Sequence, residues 1–179
     1  MELKLAGYFP KLVVSVPDWL HAAGVADVCS VSSCISTGPA GWIDHWLHND
    51  LGWFDTPELA AQVIPRGATG FRVFAYRVLG TRYRGGVAEG WEWPPVRPAP
   101  LDSSFHSAGF DAVSKSLADG LGFECSPLSC CDLAAGGQVN EHCLMNSFEV
   151  AVATAQRFSL EEPEPGPYYV VEVLERPSA

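Results

Sequence analysis

The sequence has little charge for its length and lacks any long hydrophobic run. Only 18% of the 179 residues are charged, and lysine is scarce, because three lysines stand among the eleven basic residues. No stretch reaches the eighteen or so consecutive apolar residues that a membrane-spanning helix needs. Disorder is excluded as well, since 47% of the residues are hydrophobic and 11% are aromatic. We therefore expect a folded protein that does not use a membrane as its partner.

The shortage of positive charge limits the kinds of partner that the protein can bind. The formal net charge is −10 and the isoelectric point is near 4.8. Such a surface repels phosphate backbones and anionic lipids, which leaves a small molecule or a protein as the expected partner and excludes nucleic acid. Residues 1–18 lack the basic start and the uninterrupted apolar stretch of a signal peptide. We expect a cytoplasmic protein with reduced thiols; its oligomeric state is left open.

Strands and helices do not alternate regularly along the chain. This favours an α+β fold with a mixed or mostly antiparallel sheet and helices packed on it. Residues 70–84 and 168–175 are apolar on both sides, which predicts two central strands covered on both faces. Thr56 and Pro57 mark the start of one helix, and Asn146 with Glu149 suggests a capping box before another.

The chain length predicts one domain, residues 1–179, with a proline-rich surface segment at 91–100. No internal repeat is apparent in the sequence.

The chain lacks the C-x₂-C knuckle of common zinc sites. Its six cysteines form two C-x₄-C pairs, Cys29/Cys34 and Cys125/Cys130, with Cys131 and Cys143 in addition. A C-x₄-C pair directs both sulfurs at one ion only where the backbone turns, as Ser126-Pro127 permits in the second pair. No cofactor is predicted except zinc, whose candidate ligands are Cys125, Cys130, His142 and Cys143. Small buried thiols without a ligand are the simpler alternative.

No family-specific nucleophile motif is present, but the vicinal pair Cys130-Cys131 is chemically distinctive. Residues 132–135 favour a short helical turn, and a thiolate at a helix N-terminus is stabilised by backbone N–H groups. His142 or His45 is the candidate general base for such a catalytic thiol. The negative charge of Asp132, next to Cys131 in the sequence, disfavours a thiolate there. Vicinal cysteines also suit a thiophilic ion.

A helix is expected from about residue 40, with Trp42, Ile43, Trp46 and Leu47 on one apolar stripe. His45 and His48 have a ligand-like spacing on its other face. The glutamate of H-E-x-x-H is missing there, so a solvated polar face is the simpler interpretation.

Residues 59–88 contain five arginines and no acidic residue. Arg77 and Arg82 are the candidate anchors of a bound anion, and Trp42 is a candidate ligand-binding residue beside them. The alternative is that these arginines pair with carboxylates of the chain, with Glu172 as the first candidate for Arg77.

Three segments, FECSPLSC (123–130), VNEHCL (139–144) and EPGPYYVVEV (164–173), together with GWIDHW (41–46), resemble a family of uncharacterised bacterial proteins. The resemblance implies a bacterial source and no particular activity. Our main hypothesis is an enzyme or binding protein for a small molecule or peptide, with a Cys/His site at residues 123–146. The alternatives are a non-enzymatic interaction module of accessory or inhibitor type, supported by the acidic charge and by Trp91 and Trp93, and a small zinc-stabilised domain.

Overall fold

A computed structural model describes residues 2–115 and 125–176 and confirms the α+β fold class. The strands are β1 (Leu3–Leu12), β2 (Val14–Ser15), β3 (Asp27–Val28), β4 (Phe71–Arg84), β5 (Val87–Gly90), β6 (His106–Ser114) and β7 (Tyr168–Glu175). The α-helices are α1 (Pro57–Gln62), α2 (Pro127–Cys130) and α3 (Phe148–Glu161). Two 3₁₀ helices, Trp42–His45 and Leu133–Gly136, lie in the loops. No helix within the described ranges is long and apolar enough to cross a membrane.

The main sheet has the strand order β1-β4-β7-β6 and every pairing in it is antiparallel, with β5 added to the end of β4. The two segments predicted to be central strands form β4 and β7, which occupy the two central positions of the sheet. In β7, Tyr169 and Val171 join the hydrophobic cluster on one face, whereas Tyr168 and Val170 join the cluster on the other. Covering on both faces explains why these strands read as continuous apolar runs.

The two halves of the chain are two copies of one strand–loop–helix–strand unit, a repeat that is not apparent in the sequence. The first copy is β1, α1 and β4, and the second is β6, α3 and β7. In the sheet, Gly7 lies opposite Tyr76, Tyr76 opposite Val173, and Val173 opposite Gly109. A pseudo-twofold axis thus passes between the two central residues of this row.

Both glycines of that row sit at a register shift of the edge strand, with φ of 150° at Gly7 and 137° at Gly109. A Cβ atom at either position would come within 2.8 Å of the Cβ of Trp53 or Leu144. The loop packs directly on the strand at these points, so both copies require glycine there.

An asparagine holds that loop in each copy. Asn49 Nδ2 donates to the Ala6 carbonyl at 3.0 Å, and Asn140 Nδ2 donates to the Ala108 carbonyl at 2.7 Å. Each Oδ1 accepts two backbone N–H groups, from Leu51 and Trp53 in the first copy and from His142 and Leu144 in the second. The same three kinds of hydrogen bond therefore define the loop twice.

A capped helix follows each asparagine loop. Thr56 accepts from the Leu59 N–H and Ser147 accepts from the Val150 N–H, both at 3.2 Å. The predicted start at Thr56 is confirmed. The predicted capping box at Asn146 is wrong by one residue, because the side chain that caps α3 is that of Ser147.

The helix expected from residue 40 is a single 3₁₀ turn, Trp42–His45. Gly41 and Trp46 flank it in the left-handed region, with φ of 72° and 52°, so the chain leaves the helix within one turn. Trp42 packs edge-on against Phe9 with ring centroids 4.8 Å apart. The remainder of the predicted stripe is exposed, and the side chain of Trp46 is 84% exposed.

The proline-rich segment does pack across the surface. The Trp91 indole N–H donates to the Leu79 carbonyl at 3.0 Å, and its ring packs against Tyr169. Trp91 and Trp93 are both half-buried against the core, so they do not form the exposed surface that the interaction hypothesis assumed.

Candidate functional site: a three-thiol centre

Three cysteine sulfurs meet where the long loops of the two copies come together. Cys34 lies in the loop that precedes Asn49, whereas Cys125 and Cys130 lie in the loop that precedes Asn140. The three Sγ atoms are all within 4.8 Å of one another. The first copy of the repeat thus supplies one thiol to the shared centre, and the matching loop of the second copy supplies two.

One turn of helix brings Cys125 and Cys130 together. Pro127 occupies the first position of α2, and the Cys130 N–H donates to the Ser126 carbonyl at 2.8 Å. This turn reverses the backbone between the two cysteines, which is what a C-x₄-C spacing requires if both sulfurs are to face one point.

Cys130 is the most acidic thiol of this centre. Hydrogen bonds from the Cys125 thiol, and then from the Ser32 hydroxyl, the Ser126 backbone and the Cys34 thiol, lower the pKa of Cys130 to about 6, although burial opposes them. Donation to Cys130, together with burial, raises the pKa of Cys125, which keeps its proton. Among neighbouring thiols, ionisation is therefore concentrated on one sulfur.

A buried lysine lies in the surroundings of the thiols, close enough for the charges of Cys130 and Cys34 to influence it. Lys11 is 2% exposed, and its Nζ donates to the carbonyls of Ser32 at 2.9 Å and Ser36 at 2.7 Å and to the Ser33 hydroxyl at 3.4 Å. Burial lowers the pKa of Lys11 to about 7, while the charge of Cys130 is among the influences that raise it. The ammonium fixes the loop that carries Cys34 and offsets negative charge on the sulfurs.

A buried carboxylate joins the two loops. Asp111 Oδ1 accepts from the Ser126 hydroxyl at 2.5 Å, and Oδ2 accepts from the Val31 N–H at 3.0 Å and the Ser30 hydroxyl at 3.2 Å. Burial raises the pKa of Asp111, and these hydrogen bonds oppose that rise. The segments that carry Cys34 and Cys125 are therefore fixed to the same side chain of β6.

The second cysteine of the vicinal pair has a different environment. Cys131 is exposed and its thiol donates to Glu164 Oε1 at 3.2 Å. Burial of the sulfur and the adjacent Glu164 carboxylate raise the pKa of Cys131 to about 11. Asp132 is engaged elsewhere, by the His21 ring at 2.7 Å. Electrostatics thus distinguish the vicinal pair and favour Cys130 as the reactive thiol.

Of the four residues predicted to bind zinc, Cys125 and Cys130 lie together in the centre, whereas His142 and Cys143 do not join them. His142 Nδ1 lies 2.6 Å from Asp27 Oδ1, and Cys143 is buried with its sulfur 4.0 Å from the Leu128 carbonyl. Cys34 stands in the centre in their place. Cys34 can reach the centre because β3 spans only Asp27–Val28 and the chain then bends.

The remaining predicted residues lie away from the thiols. His45 is exposed on the 3₁₀ helix. Arg77 pairs with Glu172 at 3.3 Å, and Arg82 pairs with Glu89 at 3.1 Å and donates to the Tyr169 hydroxyl. These contacts agree with the alternative in which the arginines balance carboxylates of the chain itself.

Comparisons with family models, with curated proteins and with solved structures found no match to this chain.

Proposed function

We propose that the protein binds a thiophilic metal ion, zinc or a softer ion such as Cu(I), at the three-thiol centre of Cys34, Cys125 and Cys130. The observation that carries this proposal is the convergence of three sulfurs within 4.8 Å from two separate loops. Thiolates select zinc and soft ions over magnesium and calcium. The proposal keeps Cys125 and Cys130 of the predicted zinc ligands and has Cys34 in place of His142 and Cys143.

The electrostatics of the centre favour an ion held by thiolates. Metal binding requires deprotonated thiols, and the hydrogen bonds that lower the pKa of Cys130 ease its deprotonation. A divalent ion on three thiolates leaves one negative charge, which favours the protonated form of the nearby Lys11 and is offset by it. The exposed Cys34 opens the centre to solvent, and a reducing cytoplasm would keep all three thiols available.

A second group of metal-ligating side chains shares Cys125 with the three-thiol centre. Cys125, Cys131 and Glu164 form an overlapping group whose ligand atoms also lie within 4.8 Å of one another. Since Cys125 belongs to both groups, Cys131 is the candidate for the fourth tetrahedral position that zinc prefers.

The test is metal content by mass spectrometry, with a thiol count on the same sample purified under reducing conditions. We expect about one ion per chain and a sulfur-to-metal charge-transfer band when cobalt(II) replaces it. Cys34→Ser and Cys130→Ser should abolish the band, whereas the matched control Cys143→Ser should retain it. Metal-free protein that also shows no charge-transfer band on cobalt addition would refute the proposal.

A non-enzymatic interaction module is the second candidate, favoured by one apolar patch. Ile43, Trp46 and Leu47 are 45%, 84% and 39% exposed, and adjacent exposed apolar side chains mark protein-binding surfaces. A partner recovered from the host by the wild-type chain should be lost with Trp46→Ala. It should remain with Leu160→Ala, which truncates an exposed leucine of α3. Equal recovery by both variants would exclude this surface.

A further inference from the structure

A polar cleft of about 340 Å³ opens between β6 and the loop that Asn140 holds, in the second copy of the repeat. Its lining includes His106 and Ser107 of β6, Asn146 of the loop and Glu175 of β7. His106, Ser107 and Asn146 are exposed, so the cleft is open to solvent. The cleft and the three-thiol centre are separate sites, since the described residues that line the cleft include no cysteine.

The charged groups at one side of the cleft are already paired with one another. Glu175 accepts from Arg72 at 3.1 Å. The His142 ring lies between two carboxylates, with Nδ1 at 2.6 Å from Asp27 and Nε2 at 3.8 Å from Glu175. With His142 protonated, the two positive and two negative charges of this group balance. An occupant therefore needs no charge of its own on this side, which suits the neutral main chain of a peptide.

The repeat identifies the counterpart of this cleft in the first copy. Lys4 matches His106, because each lies three residues before the glycine at the register shift of its edge strand. Asp55 matches Asn146, because each lies six residues after the asparagine that holds its loop. Lys4 and Asp55 therefore mark the two sides of the first-copy counterpart.

In the first copy, the chain covers this counterpart with its own proline-rich segment. On one side, the Lys4 ammonium lies 5.9 Å from the ring centroid of Trp93. On the other side, the Ala99 N–H donates to the Asp55 carbonyl at 2.7 Å, and the Ala99 carbonyl accepts from the Tyr8 hydroxyl at 2.8 Å. The segment thus contacts both sides of the counterpart and is held there through its main chain.

The two copies differ in the polarity of the side chains at this place. Leu51, which matches His142, is 2% exposed. Val78, which matches Glu175 in the sheet, is fully buried. Both belong to the hydrophobic cluster against which the tryptophans of the proline-rich segment pack. One scaffold therefore forms an apolar, covered groove in the first copy and a polar, open cleft in the second.

We propose that the cleft is a docking site for an extended, proline-containing segment of a partner protein, which crosses it as the proline-rich segment crosses its counterpart. Such a segment has a preformed shape, and its main-chain carbonyls are free to accept hydrogen bonds. The Ser107 hydroxyl and the Asn146 amide are exposed donors in the lining. Because His142 and Glu175 replace apolar residues, the partner segment carries polar side chains where the internal segment carries tryptophan.

This inference goes beyond the metal-binding proposal and does not depend on it, since the cleft and the three-thiol centre share no residue. It is also separate from the exposed apolar patch around Trp46, which lies on the 3₁₀ helix of the first copy. Failure of either of those proposals would leave this one standing.

Selection from a displayed library of random short peptides, with the full chain as the target, tests the site. We expect enriched peptides that contain proline and few aromatic residues. A synthetic copy of the most enriched peptide should protect residues 106–109 and 140–146 from hydrogen exchange. Ser107→Trp fills the cleft with an indole and should weaken binding by about tenfold or more in fluorescence anisotropy. Asn146→Trp, on the other side of the cleft, should do the same.

The matched control is Ser103→Trp, which places the same side chain at an exposed position outside the cleft and should leave binding unchanged. A library that yields no peptide above the background of an empty support would overturn the inference. Enriched peptides that bind the wild type and both cleft variants equally would overturn it as well. Sedimentation of the chain alone examines a second copy as the occupant, and a dimer that dissociates in Ser107→Trp would assign the cleft to self-association instead.

Discussion

The pH dependence of alkylation at Cys130 measures directly the electrostatics of the three-thiol centre. With its pKa lowered to about 6, Cys130 should react along a titration curve whose midpoint lies near pH 6. An unperturbed cysteine titrates near pH ~8.5. The chain offers its own comparison in Cys131, an exposed neighbour whose pKa is raised to about 11.

The midpoint is a better measure than the rate. At pH ~7 a thiol of pKa ~6 is roughly 90% ionised, against about 3% for an ordinary cysteine. The more acidic thiolate is also less nucleophilic, by about 13-fold for ~2.5 pKa units and a Brønsted coefficient of ~0.45. The two effects nearly cancel at neutral pH, leaving Cys130 only about twofold faster, whereas at pH ~5.5 the advantage grows to roughly 20-fold.

Cys125 provides the matched pair of variants, because its thiol makes the largest contribution to the lowered pKa of Cys130. Cys125→Ala removes the donor, and a hydrogen bond to a charged group contributes about 1.5–3 kcal/mol, or roughly 1–2 pKa units. Cys125→Ser keeps a hydroxyl donor in the same place. We expect the midpoint to rise in the alanine variant and to stay near the wild-type value in the serine variant.

The assay is iodoacetamide labelling of metal-free protein from pH ~5 to ~9, with each cysteine resolved by peptide mass spectrometry. A wild-type midpoint for Cys130 near the ordinary cysteine value would refute the assignment of the thiolate. An unchanged midpoint in Cys125→Ala would show that the neighbouring thiol is not its cause.

Two further predictions concern the surrounding scaffold. Because burial lowers the pKa of Lys11 to about 7, the folded chain binds fewer protons than the unfolded chain up to the ordinary lysine pKa. The free energy of unfolding should therefore rise by up to about 1.4 kcal/mol per pH unit between pH ~7 and the ordinary lysine pKa, and it should level off below the folded pKa, where the lysine is protonated in both states. Urea unfolding measured at several pH values should show a weaker dependence of the unfolding free energy on pH for Lys11→Met than for the wild type. An equal dependence in the two proteins would contradict the assignment. Asn49→Ala and Asn140→Ala should each destabilise by about 2–3 kcal/mol, since each loses three backbone hydrogen bonds. The exposed Asn146→Ala should cost less than about 0.5 kcal/mol, and a large difference between the first two would argue against equivalent roles.

Local patterns predicted the regular elements well. The two central strands were apparent because both of their faces are apolar. The start of α1 was apparent because Thr56 caps an N–H group three residues along the chain and Pro57 suits the first helical position. The helix from residue 40 failed for a local reason as well. Its apolar spacing suited a helix, but the left-handed residues Gly41 and Trp46 end it after one turn, which leaves the side chains exposed.

The repeat could not be recognised by sequence identity. Its two copies share an Ala-Gly pair, a loop asparagine and a hydroxyl cap, at positions where backbone geometry or a buried hydrogen bond admits few residues. Elsewhere each copy needs only apolar residues of suitable size, and these diverge freely. Loop length differs between the copies too, which hides the register.

The sequence by itself determined the α+β class, the central strands and the concentration of thiols at residues 123–146, because these depend on composition and on neighbours along the chain. Only the tertiary structure decided that Cys34 joins Cys125 and Cys130, that His142 faces Asp27 and Glu175 instead, and that Lys11 and Asp111 support the thiols. The contacts of Cys34 with Cys125 and Cys130, and of His142 with Asp27, join residues from the two copies of the unit, and the packing of the two halves around their shared axis sets which side chains meet. Long-range geometry of that kind leaves no periodic signal in the chain.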